Sequence, residues 1–153
     1  MATLTVPEWV ELPEQHVIAI GAQVPMSEYG AFYQRALGQL FTYIGQHQIE
    51  VVGAPMSVMH GIPPESTFYA AVPVAHPMVA DGDIEPQVLP AGRAATLTVT
   101  GAYGSIAPAY ERLASWIGEQ GAIPGAIAWE QYLNEPAGDG SGNITQLYWV
   151  PAG

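Results

Sequence analysis

The chain has 153 residues, 49% of them hydrophobic and 11% charged, which is enough apolar side chain for one well-packed domain and too much for a disordered tail. It contains no cysteine and no lysine, excluding disulfides, thiolate metal sites, a cysteine nucleophile and Schiff-base chemistry. Its formal charge of −11 repels phosphate, so nucleic acid and anionic membranes are poor partners and cations are favoured ones.

The opening Met1-Ala2-Thr3-Leu4-Thr5-Val6-Pro7-Glu8 lacks the basic patch and apolar stretch of a signal peptide, and no apolar run is long enough to span a bilayer. A cytoplasmic location is therefore expected. A β-rich segment from Val17 to Ala22 comes first. Phe32, Leu37, Leu40, Phe41 and Ile44 then recur at helical spacing, with Gly53 and Pro55 beyond them. Strands are predicted from Met56 to His60 and from Thr67 to Val72, around Gly61-Ile62-Pro63-Pro64. The proline- and acid-rich stretch from Pro73 onward to Pro86 reads as a linker. A second β-rich segment runs from Ala94 to Thr100, followed by Ile106, Tyr110, Leu113 and Ile117 at helical spacing. Pro108 fits that helix's first turn, Ser105 fits its N-cap, and Gly121 and Pro124 end it. Strands at Ala126 to Leu133 and Ile144 to Val150 flank a glycine-rich loop.

The two halves repeat each other. Leu12-Pro13 returns as Leu89-Pro90, an offset of 77 (89 − 12), and Tyr33-Gln34-Arg35 returns as Tyr110-Glu111-Arg112 at the same offset. Ile44-Gly45-Gln46 matches Ile117-Gly118-Glu119 at an offset of 73 (117 − 44). The expected fold is α+β: two strand-helix-strand-strand units related by a pseudo-twofold axis, an antiparallel sheet, two main helices and a central pocket. The first unit covers about residues 6–74, the linker about 75–86 and the second unit about 87–153, all within a single domain.

Glu130 is the residue most suggestive of chemistry, because it interrupts a segment that otherwise reads as a buried strand. Strand alternation puts Ala128, Glu130 and Tyr132 on one face. A carboxylate placed there either meets a cation or hydrogen-bond donor, or holds its proton more tightly; alternatively, it faces solvent on a one-sided sheet. Tyr33 and Tyr110 occupy equivalent helix positions, Tyr103 lies at the entrance to the second helix, and either Tyr148 or Trp149 can face a pocket. His60 is a candidate counterpart of Tyr132 in the first half. The four histidines show no metal-like spacing, Ser105 lacks a nucleophile elbow, and Gly138-Asp139-Gly140-Ser141-Gly142 is a turn rather than a phosphate cradle. No metal and no cofactor are expected.

Leu89-Pro90-Ala91-Gly92-Arg93, Gly101-Ala102-Tyr103-Gly104, Ala109-Tyr110-Glu111-Arg112-Leu113 with Trp116-Ile117, Trp129-Glu130-Gln131-Tyr132 and Tyr148-Trp149-Val150-Pro151 together resemble the GyrI-like small-molecule-binding family. The resemblance spans nearly all of residues 85–151 in order. It implies the duplicated fold and a central pocket for bulky aromatic, often cationic, compounds, with a glutamate at the position of Glu130. In that family the domain often senses effectors for multidrug-responsive transcription regulators; no helix-turn-helix is read before the domain here, so a direct transcriptional role is not expected. Some stand-alone members resemble hydrolases of reactive electrophiles.

Two functions follow as expectations. The first is a stand-alone binding protein for hydrophobic aromatic or cationic small molecules, with Glu130 as counter-charge and Tyr132, Tyr33, Tyr103, Tyr110 and Trp149 as its walls. The second is a cofactor-free hydrolase, in which Glu130 is the general base and Tyr132 or Tyr103 donates to the developing anion.

Overall fold

In chain order, the computed structural model places strands β1 (Thr3–Leu4), β2 (Glu8–Leu12) and β3 (Gln15–Ala22) before helix α1 (Met26–His47). Strands β4 (Met56–His60), β5 (Thr67–Val74), β6 (Glu85–Leu89) and β7 (Gly92–Thr100) follow. A 3₁₀ turn (Tyr103–Ser105) then leads into α2 (Ile106–Glu119), and β8 (Pro124–Tyr132) and β9 (Ile144–Pro151) complete the chain. The structure describes residues 2–22, 24–61, 67–135 and 138–152. The expected turn at Ile62-Pro63-Pro64, and Pro136-Ala137 of the glycine-rich loop, lie outside the described residues.

By their internal contacts the residues form two compact units, Pro13–Ala91 and Met1–Leu12 with Gly92–Gly153. In the first, β5 pairs antiparallel with β4 and β3, and β3 pairs antiparallel with β6. In the second, β9 pairs antiparallel with β8 and β7, and β7 with β1 and β2. The α+β class and the antiparallel pairing are as expected.

The edge strands cross between the two halves of the sequence. Strand β2 precedes β3 in sequence yet pairs with β7, through Trp9↔Ala95 and Glu11↔Arg93. Strand β6 precedes β7 yet pairs with β3, through Val17↔Gln87 and Ala19↔Glu85. The two strands are repeat equivalents at the offset of 77 (85 − 8), so each unit takes its edge strand from the opposite half of the sequence. The segment read as a linker over 75–86 therefore ends in strand at Glu85, and the units divide at Leu12/Pro13 and Ala91/Gly92. Composition shows a proline- and acid-rich stretch; it does not show which edge will collect the strand at its end.

Within the second unit, Ile106, Ala109, Leu113 and Ile117 form the buried stripe of α2 and pack on Ala95, Leu97 and Val99 of β7 and Leu147 of β9. Each fully buried leucine or isoleucine there contributes about 1.5–3 kcal/mol of transfer free energy. Trp9 of β2 closes the end of this core against Trp116, with ring centroids 5.0 Å apart, and Arg93 lies 4.0 Å over the Trp9 ring. Ser105 precedes α2 as expected but makes no side-chain capping bond; the 3₁₀ turn takes up the helix entrance instead. At the other end Gly121 adopts φ +79°, and the Ala122 amide donates to the Ile117 carbonyl, closing the helix as glycine at that position allows.

In the unit Pro13–Ala91 the buried stripe of α1 is Tyr33, Ala36, Leu40 and Ile44, at the same helical spacing. Leu40 and Ile44 belong to the expected stripe. Phe41 does not: it is 43% exposed, and Tyr33 and Ala36 take the buried positions of the stripe instead. On β3, Gly21 is paired with Tyr69, and a Cβ at Gly21 would sit 2.9 Å from the tyrosine ring. Glycine here leaves the surface over which that ring lies. Gly21→Ala is expected to destabilise the protein by about 1–3 kcal/mol through this overlap, read from the midpoint of denaturant unfolding.

Candidate functional site

The site is built on β8 and α2. In the β8–β9 ladder Ala128 pairs with Trp149, Glu130 with Leu147 and Tyr132 with Thr145, and in β7–β9 Leu97 pairs with Leu147. Paired residues share a face of a pleated sheet, so Glu130, Tyr132 and Trp149 lie on the face that carries Leu97 and Leu147, and these two pack against α2. The strand alternation read from sequence is thus present, and Glu130 is on the helix side rather than on an open face.

Tyr132, two residues along the same strand, donates its hydroxyl to Glu130 Oε1 at 2.6 Å. Tyr110 of α2 brings a second hydroxyl to the same carboxylate. The Tyr103 ring stands edge-on to Tyr132 with centroids 5.7 Å apart and is 42% exposed, so it forms the outer rim. Tyr110 in turn meets Trp149 edge-on at 5.7 Å, and Trp149 Nε1 donates to the Gly125 carbonyl at 2.9 Å. Trp149, not Tyr148, is therefore the residue of that pair on the Glu130 face. Tyr148 stacks on buried Trp129 on the other face, centroids 5.3 Å apart. Five of the six sequence candidates come together in this one unit. Tyr33 lies in the other, buried on α1 with its ring 6.0 Å from that of Tyr29.

Glu130 keeps some solvent access but is crowded by protein atoms, and this burial raises its pKa above the ordinary 4.5; the hydroxyls of Tyr132 and Tyr110 oppose the shift without cancelling it. Burial and the Glu130 charge both raise the Tyr103 phenol. A carboxyl whose folded-state pKa is raised binds its proton more tightly in the native than in the unfolded chain, so stability falls as pH rises from 4.5 through the raised value. Glu130→Gln removes that loss. Thermal midpoints of the parent and Glu130→Gln proteins are expected to diverge in the variant's favour as pH rises from 4.5 to neutrality, and this advantage should vanish below 4.5.

The register also identifies the counterpart of Glu130. Ser57 pairs with Ala70 as Glu130 pairs with Leu147, and Ala70 and Leu147 are equivalent at the offset of 77 (147 − 70). Ser57 and Glu130 are thus equivalent, and so are Met59 and Tyr132, both at the offset of 73 (130 − 57 and 132 − 59). His60 is not the counterpart of Tyr132. Its ring is edge-on to Tyr69 at 5.5 Å, and its Nε2 lies 3.2 Å from Gln87 Oε1. Ser57 was legible in principle, since the Ile44–Ile117 match already carries the offset of 73. At Ser57 the hydroxyl accepts from Tyr29 at 2.8 Å, so the tyrosine–acceptor pairing recurs in both units but only one acceptor carries charge.

Among the described residues no cluster of three or more histidine, aspartate or glutamate side chains could hold a metal. No described helix is long and apolar enough to cross a membrane.

Comparison with known proteins agrees with this architecture. No curated protein matches the chain. Among solved structures, EcmrR in its complex with DNA superposes with a TM-score of 0.82 at 19% identity; the match covers 95% of this chain and 57% of EcmrR, so this chain spans little more than half of that protein's length. SAV2435 bound to tetraphenylphosphonium gives a TM-score of 0.72 at 11% identity, covering 97% of this chain and 95% of SAV2435. A hydrolase from Listeria innocua gives 0.65 at 13% identity, covering 95% and 91%. At these identities the likeness is one of fold. The family model, in contrast, matches residues 5–152, and the chain belongs to the GyrI-like small molecule binding domain family.

Proposed function

We propose that this GyrI-like domain binds bulky aromatic cations at Glu130. The observation that carries the proposal is a crowded carboxylate, hydrogen-bonded by Tyr132 and Tyr110, beside the rings of Tyr103 and Trp149. The carboxylate supplies the counter-charge and each ring face adds roughly 0.5–2 kcal/mol toward a cation, depending on how far it is desolvated. Few polar groups fix the ligand's shape, so the site accepts a chemical class rather than one compound. That SAV2435 is described with tetraphenylphosphonium supports this class of ligand.

The competing reading, hydrolysis of an electrophile with Glu130 as base, draws on the raised pKa of the carboxyl and on the hydrolase likeness. It is weakened by Tyr132, whose hydroxyl proton is directed at Glu130 and not at a developing anion. Fluorescence titration with tetraphenylphosphonium, beside neutral triphenylphosphine oxide, tests the proposal. Saturable binding that prefers the cation is expected; equal affinity for both compounds would remove the role given to the carboxylate. Mass spectrometry after incubation with lactone electrophiles is expected to show unchanged compounds, and multiple turnovers lost in Glu130→Gln would establish the hydrolase instead.

A further inference from the structure

An open groove of about 560 Å³ lies within the unit Pro13–Ala91, and all its lining residues belong to that unit, so it is separate from the Glu130 site. Its origin is a gap in strand pairing. Strand β6 accompanies β3 only as far as Ala19↔Glu85. Upstream of Glu85, the Asp81–Ile84 bridge, with Gly82 at φ +60°, turns the chain back on itself. The next residues of β3, Ile20 and Gly21, therefore line the groove instead of a continued ladder. From α1, Phe32, Arg35, Ala36 and Gln39 face it, a single helical stripe at i, i+3, i+4 and i+7.

The charges in this groove are of both signs. Arg35 is one of only three basic side chains besides histidine in a chain of formal charge −11, and among the described residues it takes part in no ion pair or hydrogen bond. Asp83 and Glu85 line the groove as well, so two carboxylates and one guanidinium leave it net negative by one charge. Tyr69 lies across Gly21; burial, and after it the charge of Glu85, raise its phenol against the opposing hydrogen bond with Gln87, so it stays a neutral hydroxyl at the groove.

We propose that this groove is a second ligand site, taking a small molecule that carries a free carboxylate together with ammonium or guanidinium groups, as a basic amino acid or a short basic peptide does. Arg35 receives the carboxylate, where its planar fork gives two parallel hydrogen bonds. Asp83 and Glu85 receive the cationic groups. The apolar stems of the ligand lie on Phe32 and Ala36, and a peptide backbone can extend the unpaired stretch of β3. The groove's excess of one carboxylate favours a ligand with two cationic groups and one anionic group over a neutral zwitterion.

The test is calorimetric titration of the full chain with L-arginine, with alanyl-L-arginine, and with agmatine, which is arginine without its carboxylate. Saturable binding of arginine or alanyl-arginine, about tenfold tighter than agmatine, is expected. Arg35→Gln should erase that preference without weakening agmatine, and Asp83→Asn with Glu85→Gln should weaken all three. Stronger binding of the dipeptide assigns the groove to peptides, and equal binding assigns it to free amino acids; both support the site. Because Arg35, Asp83 and Glu85 are exposed, these variants keep the core intact. No saturation by either carboxylate-bearing probe at about millimolar concentration would overturn the proposal. So would affinities that ignore Arg35→Gln, or binding that is lost in Glu130→Gln.

Discussion

Glu130→Gln is expected to weaken tetraphenylphosphonium binding by about 10- to 100-fold while changing the affinity for neutral triphenylphosphine oxide by less than about threefold. The substitution keeps the side chain's size and an oxygen able to accept from Tyr132, whose bond to Glu130 is 2.6 Å long. What it removes is charge, in surroundings crowded enough to raise the carboxyl's pKa, where an ion pair is screened less than at an open surface. The pH dependence follows with a definite sign. Because that pKa lies above 4.5, affinity for the cation should be full at high pH and fall as pH drops through the raised value, before an ordinary carboxylate would lose its charge. Binding below that pH must release a proton, so the calorimetric heat should depend on the ionisation enthalpy of the buffer. The Glu130→Gln protein should show neither effect.

Leu113→Ala is expected to cost about 2–5 kcal/mol of stability, the largest effect anticipated for a single residue outside the site. Leu113 is fully buried in the middle of the α2 stripe, between Ala109 and Ile117 and against Leu97 and Leu147. Truncation removes transfer free energy and leaves a cavity that a helix pinned at both ends of its stripe cannot collapse into. Tyr110 is three residues away on the same helix and packs at the margin of the same core, so looser seating of α2 should also weaken cation binding. Denaturant unfolding measures the first effect. The second should be smaller than that of Glu130→Gln and should fall equally on charged and neutral ligands, which separates a packing defect from loss of the counter-charge.

The parts of the fold that depend on local pattern were legible. Helices α1 and α2 and strands β3, β4, β5, β7, β8 and β9 lie where the 3.6- and 2-residue periodicities put them, within a few residues. Ala128, Glu130 and Tyr132 share a face because strand geometry leaves them no other arrangement. The same alternation separates Tyr148 from Trp149, although pattern alone could not say which of them faces the helix. In α1 the apolar pattern was too broad: Phe32, Leu37 and Phe41 compete with Tyr33 and Ala36 for the core, and only close packing against β3 and β5 chose between them.

The sequence alone thus determined the class of fold, the internal duplication and the family to which the chain belongs. The tertiary structure decided the partners. Strands β2 and β6 are repeat equivalents at the offset of 77 (85 − 8), and which unit each joins is settled by long-range hydrogen bonding, which no window of neighbouring residues contains. The same holds for the groove beside Arg35, which exists because β6 stops at Glu85 while β3 continues to Ala22. A residue's type and local period say what it can do; the ladder that ends beside it decides whether it is left to do it.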